Sequence, residues 1–537
     1  MSTARYPVLI VGAGAAGLTA STLLAHHGVR SLTIEKRKEI FLYPKARNLT
    51  FRSLEILRGV GLGSAVNSAA HYISHMVSKK TLSSADTTVI MGSEFFPDAE
   101  ALSPEPFGKY CPQSVLEPIL LDETRRGGSD VRYATALGSF RQHDDGVVAT
   151  IEDLDTGAVS DVHADYLLAA DGTHSPIRDN LGISTSGAGR LPIFVVFIYF
   201  RAPWRRYLPT LGDGDGVQVD NPKVTGIMIP VHDDLALFIT TYFPNEGETL
   251  DMFTPDRCRE LLLDAFGTDV TIDVVDVAPW QPHEQVADQF RCGRVFLVGD
   301  SAHTMPPLKG GGANTGIASA HNLAWKLAAV LHGRAGADVL DTYHTERHPV
   351  ARFAARQSLT GPGAAYLPMG HDAPTLPADE DLPLFYMIAG YKYRSAAVVT
   401  DEPGPANPDA VQLVDGEELH GEPGTRVPHA WVQRDGERIS TLDLLGTGFT
   451  LITGTAATPW VAAAESVSRS LDVPIDVCIV GADVSDADGR WAKLTGLSPE
   501  AALLVRPDDF VGWRTEALPR SPEGELGAVM RRILARS

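Results

Sequence analysis

Gly12-Ala13-Gly14-Ala15-Ala16-Gly17 stands directly behind the apolar run Pro7–Val11 and in front of the helical pattern Leu18–His27. A strand, a glycine turn and a helix in that order form the first half of a β-α-β unit. Gly12 permits the tight turn, Gly14 lets a pyrophosphate approach the backbone, and Gly17 lets helix and strand pack closely. The helix N-terminus adds free N–H groups and a positive dipole end, which makes Ala15 and Ala16 expected cofactor contacts. Gly28 closes the helix, and Ser31–Glu35 reads as the next strand. Glu35, about 18 residues past Gly17, can accept hydrogen bonds from a ribose diol, with Lys36 beside it. This layout predicts a dinucleotide site without separating FAD from NAD.

Outward from this unit, 537 residues are too many for one compact core and imply two to four domains. Ile193–Phe200, Val224–Val231 and Leu235–Phe243 are β-branched and aromatic runs between Asp, Gly, Pro and Asn clusters. They predict a mostly antiparallel sheet over residues 186–280, inserted into a discontinuous first domain of residues 1–185 and 281–395. A strand, Arg294–Val298, leads into a glycine-rich loop and a helical stretch from Ile317 to His332. Gly361–Asp409, dense in Pro, Ala, Asp and Gly, reads as a linker. Beyond it Thr450–Thr453, Ile475–Val480 and Leu503–Val505 predict a small α/β domain over residues 396–537.

Charge and composition exclude several functions. With 46 basic and 67 acidic residues the formal charge is −21, which repels nucleic acid and anionic membranes. The apolar run Tyr6–Ala25 lacks a basic leader segment, so no targeting segment or membrane span is expected. Cys111, Cys258, Cys292 and Cys478 are scattered singly, with no CxxC pair, as suits a reducing cytoplasm. His303, His321, His344 and His348 lack metal-ligand spacing, and no metal is expected. No nucleophile elbow with a Ser-His-Asp pattern is visible.

Two further motifs narrow the cofactor. Ala170-Asp171-Gly172-Thr173-His174-Ser175-Pro176-Ile177-Arg178 follows the strand Tyr166–Ala169, and Gly299-Asp300-Ser301-Ala302-His303 follows Arg294–Val298. With GxGxxG, these make the chain resemble the group A flavoprotein hydroxylases, the family of p-hydroxybenzoate and phenol hydroxylases. The resemblance spans roughly residues 5–360. Leu297–Val330 and an expected helix at Arg47–Glu55 most resemble the bacterial hydroxylases of aromatic polyketides. Pro428–Trp431 and Leu503–Asp508 look like that subgroup's thioredoxin-like third domain, where the lone Cys478 points to a structural role.

The resemblance implies roles for particular residues. Asp300 accepts hydrogen bonds from the ribityl hydroxyls of FAD, while Asp171 and Gly172 shape the turn near the pyrophosphate. Arg47 and Gln113 match further FAD contacts, and His174 and Arg178 match positions near the nicotinamide phosphates. The competing readings are a helix N-cap for Asp300 and ordinary surface polarity for Arg47 and Gln113. The loop Pro306–Gly316 also has a physical reading: its glycine-freed N–H groups open a helix, whose dipole favours negative charge at the N1–C2=O edge of reduced flavin. Pro307, Gly310, Gly312, Ala313 and Asn314 are its expected contacts.

No second strand–GxGxxG–helix unit exists, since Gly446-Thr447-Gly448 lacks the third glycine. A nicotinamide cofactor, NAD(P)H with NADPH the expected form, therefore binds transiently across the FAD domain. The expected fold is an α/β Rossmann-like (GR2-type) FAD-binding domain with an inserted, mostly antiparallel sheet and a small thioredoxin-like α/β domain. The expected activity is O2-consuming hydroxylation of an aromatic compound, of polycyclic polyketide type, through a C4a-hydroperoxide of the flavin. A simple phenol hydroxylase, an atypical Baeyer–Villiger oxygenase or an oxidase are the alternatives within enzymes, and a flavin-binding scaffold the one outside. Phe194, Phe197, Tyr199, Ile227, Ile229 and Phe238 are candidates for an apolar ceiling over the flavin, each equally readable as core. No motif names a catalytic base. A small aromatic molecule is the expected partner, and a homo-oligomer is compatible with the sequence.

Overall fold

The structure is a computed structural model that describes residues 4–41, 46–72, 76–91, 99–212, 215–361, 379–404, 407, 409–416 and 419–537. Its first sheet grows from β1 (Ala4–Val11), whose Val8, Leu9 and Ile10 have no exposed surface. Strands buried on both faces are continuous apolar runs, and parallel sheets are built from them. After α1 (Ala15–His26) the chain returns as β2 (Ser31–Ile34), parallel to β1. A short β3 (Asn48–Thr50) precedes α2 (Phe51–Gly59) and α3 (Gly63–Ala69). The expected helix at Arg47–Glu55 thus begins only at Phe51, because Asn48–Thr50 pair with β6 (Gly108–Tyr110). Between them β4 (Met76–Lys79) and β5 (Thr88–Met91) leave for another sheet.

After α4 (Gln113–Arg126) come β7 (Asp130–Arg132), β8 (Thr135–His143), β9 (Gly146–Asp153), β10 (Val159–Ala169) and α5 (Pro176–Asn180). β10 lies parallel to β1 on the side away from β2. The chain then builds β11 (Thr185–Arg190), β12 (Phe194–Arg201), β13 (Gly216–Asn221), β14 (Val224–His232), β15 (Leu235–Tyr242), α6 (Pro255–Phe266) and β16 (Asp273–Trp280). It returns through β17 (His283–Ala287), β18 (Arg291–Cys292), β19 (Val295–Leu297) and β20 (His303–Thr304). β19 joins β10 in parallel, giving the order β18-β19-β10-β1-β2-β7, with β9 and β8 attached at β10.

The second sheet has the order β16-β12-β15-β14-β13-β4-β5 and is antiparallel except where β13 meets β4. Residues 76–91 therefore contribute two strands to it from inside the segment expected to belong to the FAD domain. One face carries Val196, Ile198, Phe200, Met228 and Phe238, all fully buried with Cys258, Leu262, Ala265 and Phe266 of α6. Burying each larger apolar side chain contributes about 1.5–3 kcal/mol, so this face is committed to core. α6 starts at Thr254, whose hydroxyl accepts the Arg257 N–H at 3.3 Å, and stops at Gly267 with φ +70°.

The long helix α7 (Gly311–Leu331) begins six residues before the expected Ile317, since Gly310 with φ +65° already serves as its N-cap. It packs with α8 (Asp341–Gln357) behind the first sheet, followed by α9 (Phe385–Ile388), β21 (Tyr391–Lys392), β22 (Gln412–Leu413), β23 (Trp431–Arg434) and β24 (Glu437–Ser440). The last unit contains β25 (Phe449–Thr453), α10 (Thr458–Leu471), β26 (Ile475–Ile479), α11 (Arg490–Thr495), β27 (Ala502–Val505), β28 (Val511–Thr515) and α12 (Pro522–Ile533). Its sheet has the order β26-β25-β27-β28, with β25 and β26 parallel.

Buried charges join this unit to the rest. Glu346 of α8 receives Arg506 at 2.6 and 2.9 Å and Lys326 at 2.7 Å. Arg52 of α2 bonds Asp509 at 2.8 Å, and Glu55 of α2 bonds Arg426. Pairs this buried are retained only when every partner is present, because one left alone is a desolvated charge.

Candidate functional site

β19, β10 and β1 are adjacent and parallel, so their C-terminal ends lie along one edge of the sheet. Each ends in one of the three motifs: Gly12–Gly17 after β1, Asp171-Gly172 after β10, Gly299-Asp300 after β19. Ligands of open α/β sheets bind at this carboxyl edge. A Cβ on Gly12 would collide with the Ala170 carbonyl oxygen, and one on Gly17 with the Gly12 carbonyl oxygen. Both glycines are therefore demanded by the crossing of β1, α1 and β10. Gly14 differs, because a Cβ there would meet nothing nearer than Glu117 Oε1 at 3.7 Å and Gln113 Nε2 at 3.8 Å. The chain itself therefore leaves room beside Gly14.

Glu35 is buried, and its two oxygens accept the N–H groups of Ala13 and Arg37, both at 2.9 Å. Those bonds hold the carboxylate at the end of β2 with lone pairs to spare for a ribose. Lys36 points to solvent. Gln113, in the first turn of α4, donates its amide to Glu117. Asp171 accepts the Ile177 N–H at 3.3 Å on one oxygen, while its Oδ1 is buried with no hydrogen-bond partner among the described residues. Burial pushes this carboxyl above its ordinary range. Gly172, with φ +90° and open space where a Cβ would be, completes the turn.

Asp300 stands exposed in the short turn Gly299–Ser301 rather than at the head of an α-helix, and its carbonyl accepts Thr304 Oγ1 at 3.0 Å. A Cβ on Gly299 would lie 2.6 Å from Ala16 Cβ, so the third motif packs on the start of α1. Pro307 opens the turn Pro307–Lys309 that delivers the chain to α7. The first-turn N–H groups of Gly311, Gly312 and Ala313 have no intrahelical acceptor, and Gly310 offers no side-chain cap. Gly312 has open space where Gly311 faces Met305 and Met387 at 2.8 and 2.9 Å.

Four expected contacts have other work. The Asn314 side chain accepts from the Thr50 N–H at 2.9 Å and Ser53 Oγ at 2.6 Å, and donates to the carbonyls of Asn48 and Gly310 at 2.9 and 2.8 Å. It is a clasp between α7 and β3–α2. Arg178 is buried and donates to the carbonyls of Ser301 and Thr173, both at 3.1 Å, so it braces two motif turns. His174 remains exposed, edge-on to His283 with centroids 5.7 Å apart. Phe238 is the third. It pairs with Ile198 and belongs, with Phe194, to the face packed on α6, so neither can roof a flavin.

The opposite face of that sheet carries Phe197, Tyr199, Ile227 and Ile229, joined by Ile239 and Leu237. Phe197 stacks on Trp280 with centroids 5.7 Å apart and planes at 20°. Tyr110, from the first domain, donates its hydroxyl to the Pro230 carbonyl at 3.2 Å. Arg47 is half-buried, its guanidinium pushed below the ordinary arginine range by burial and drawn back up by Tyr110 and Tyr199. A cation thus meets this aromatic face through Tyr110 and Tyr199. Sequence reading missed Trp280, Tyr110 and Glu117. Trp280 ends a strand, DVVDVAPW, whose polar residues hide its pairing with Val195.

The open space at Gly14, the orphaned oxygen of Asp171 and the uncapped helix end fit FAD. Residues 5–358 match the family described as FAD binding domain, and residues 420–537 the one described as aromatic-ring hydroxylase, C-terminal. The chain belongs to the FAD-dependent aromatic-ring hydroxylases. It is 37% identical to the tetracenomycin A2 monooxygenase-dioxygenase of Streptomyces glaucescens, over 100% of this chain and 98% of that one. The 4-methyl-5-nitrocatechol 5-monooxygenase of a Burkholderia species is 36% identical, over 99% and 98%. The crystal structure of aklavinone-11 hydroxylase with FAD and aklavinone superposes with a TM-score of 0.89 at 35% identity, covering both chains completely. The hydroxylase is a monooxygenase that uses FAD, O2 and a reduced nicotinamide cofactor. Among the described residues no helix is long and apolar enough to cross a membrane, and no cluster could hold a metal ion.

Proposed function

We propose that this hydroxylase acts on a planar polycyclic phenol or quinone of aromatic-polyketide type, bound between the start of α7 and the face of the seven-stranded sheet that carries Phe197 and Trp280. The observation that carries the reading is the slab of Phe197 stacked on Trp280, flanked by Tyr199 and the aliphatic face of Ile227 and Ile229. Stacked aromatic side chains match a fused-ring substrate by area and by quadrupole. The tetracenomycin and aklavinone relatives act on molecules of this kind by their names.

A bound FAD would supply the redox chemistry, taking hydride from the nicotinamide and activating O2 for transfer of one oxygen atom to the ring. The Gly12–Gly17 turn, with Ala15 and Ala16, would hold its pyrophosphate, Glu35 the adenosine ribose, Asp300 the ribityl chain, and Arg47 and Gln113 the remaining polar atoms. Asp171 offers an orphaned acceptor beside the same turn. The N–H groups of Gly312 and Ala313 would face negative charge on the flavin ring, where the helix dipole favours it. The sheet face excludes water and sets the ring's angle, which the reaction requires of the protein. Transient NADPH binding fits the exposed surface at His174. The unit after residue 396 takes the thioredoxin-like arrangement without a redox pair, since Cys478 is buried and free.

The catechol relative favours a second reading, a monocyclic phenol in the same cleft. A screen of the purified enzyme against polycyclic and monocyclic phenols, with mass detection of a product heavier by one oxygen, separates the two. In Trp280→Ala, KM for a polycyclic substrate should rise at least tenfold, matching about 1.5 kcal/mol of lost aromatic contact. An unchanged KM would remove the slab from the substrate site.

A further inference from the structure

Facing the Gly12–Gly17 turn is a residue that no anion site needs. Glu117 lies one helical turn after Gln113 on α4, 2% exposed, with Oε1 3.7 Å from the Cβ position of Gly14. Its contacts are the Gln113 amide on its own helix and the Ala15 N–H in the first turn of α1. The charged and titratable groups facing it are Arg37 and Glu35 from the end of β2 and the Tyr133 phenol after β7. Among the described residues no salt bridge reaches it, since Arg37 approaches Glu35 instead. A carboxyl therefore lines the space where backbone N–H groups and a helix dipole would receive a doubly negative pyrophosphate.

We propose that Glu117 holds FAD in its protonated form, as an O–H donor toward the pyrophosphate, so that loading the cofactor takes up one proton from solvent. The proposal rests on the reading that the pyrophosphate occupies the Gly12–Gly17 turn. Burial pushes the Glu117 carboxyl up to about 7, with Gln113 and Arg37 pulling the other way. The arriving negative charge raises it further. Tyr133 is pushed up to about 12, chiefly by burial, and stays neutral throughout the range that matters. The sign follows from linkage: below pH 7 the carboxyl is already protonated and affinity is level. Above pH 7 binding must protonate it, and affinity falls about tenfold per pH unit until the bound-state value is reached.

The test is titration of the apoprotein with FAD between pH 6 and 9 by flavin fluorescence, with calorimetry at pH 8 in buffers of different ionisation enthalpy. The expected result is a Kd rising about tenfold per pH unit above 7 and uptake of close to one proton. Glu117→Gln, isosteric and permanently neutral, should bind FAD with a level Kd and more tightly than the parent at pH 9. A level Kd without proton uptake in the parent overturns the proposal, as does a Glu117→Gln protein that keeps the slope. Gly14→Val separates the two layers of argument, because φ −80° and open space allow the fold while the side chain fills the turn. If Gly14→Val binds FAD normally, the site reading falls and the proposal with it. If it loses FAD while the parent is level with pH, only the role of Glu117 falls.

Discussion

Asn314 was legible as a residue in the glycine loop, and its side chain separates a structural role from a ligand-binding one. Asn314→Ala removes one acceptor shared by the Thr50 N–H and the Ser53 hydroxyl, and two donors that satisfy Asn48 and Gly310. Two of these partners, Thr50 and Ser53, are themselves buried. At roughly 0.5–1.5 kcal/mol net per hydrogen bond, and 1–3 for each buried group left unsatisfied, the loss should be about 3–4 kcal/mol. The assay is urea unfolding of the FAD-free protein, where any loss is independent of the cofactor. FAD affinity should fall as well, because the clasp fixes the start of α7 against β3 and α2. An apoprotein of unchanged stability that binds FAD more weakly would refute this reasoning and make the side chain a direct contact.

Three other outcomes are expected. Asp300→Ala removes a charged acceptor from the position proposed for the ribityl chain, about 1.5–3 kcal/mol, so equilibrium dialysis should show FAD affinity lower by tenfold or more; parity with the parent would reassign the motif. Glu346→Ala strands Lys326 and leaves Arg506 with Asp508 alone, and should cost about 3–5 kcal/mol by thermal unfolding. Burial alone would push the Glu346 carboxyl up, but Arg506 and Lys326 outweigh it and hold it well below the usual range. That stability is present above about pH 4.5 and lost as pH falls toward the folded value, so acid unfolding should start earlier in any variant lacking Lys326. Acid midpoints that coincide would show that the cluster carries no linkage.

The parts of the fold legible in the sequence are those fixed by local sterics. Gly12 and Gly17 have backbone atoms where a side chain would be, and that demand appears in the chain as glycine at a fixed spacing. The strands and helices around them were placed to within a few residues, except at Asn48–Thr50 and Gly311, where pairing and an αL glycine set the boundary. What remained hidden depends on register between distant segments. In FVVFIYF both faces of β12 are buried or half-buried, so no alternation tells which residues point toward α6. Phe238 and Phe197 look alike until pairing with β15 assigns them to opposite faces. The joining of β4 to β13 links residues 76–79 with 216–219, and no local pattern announces it. Arg178 and Asn314 are polar residues in functional motifs, and only their partners show that they brace the turns.

The buried charge cluster that ties α2, α7 and α8 to the last unit bears on how such enzymes can be recombined. Arg52, Glu55, Lys326 and Glu346 come from one part of the chain, and Arg426, Arg506, Asp508 and Asp509 from the other. A chimaera that takes its last 120 or so residues from a relative inherits only one half of this ionic lock. Crossovers at β12 and β16 cut none of its pairs, so strands carrying the aromatic face can be exchanged between hydroxylases while the lock travels intact with its host.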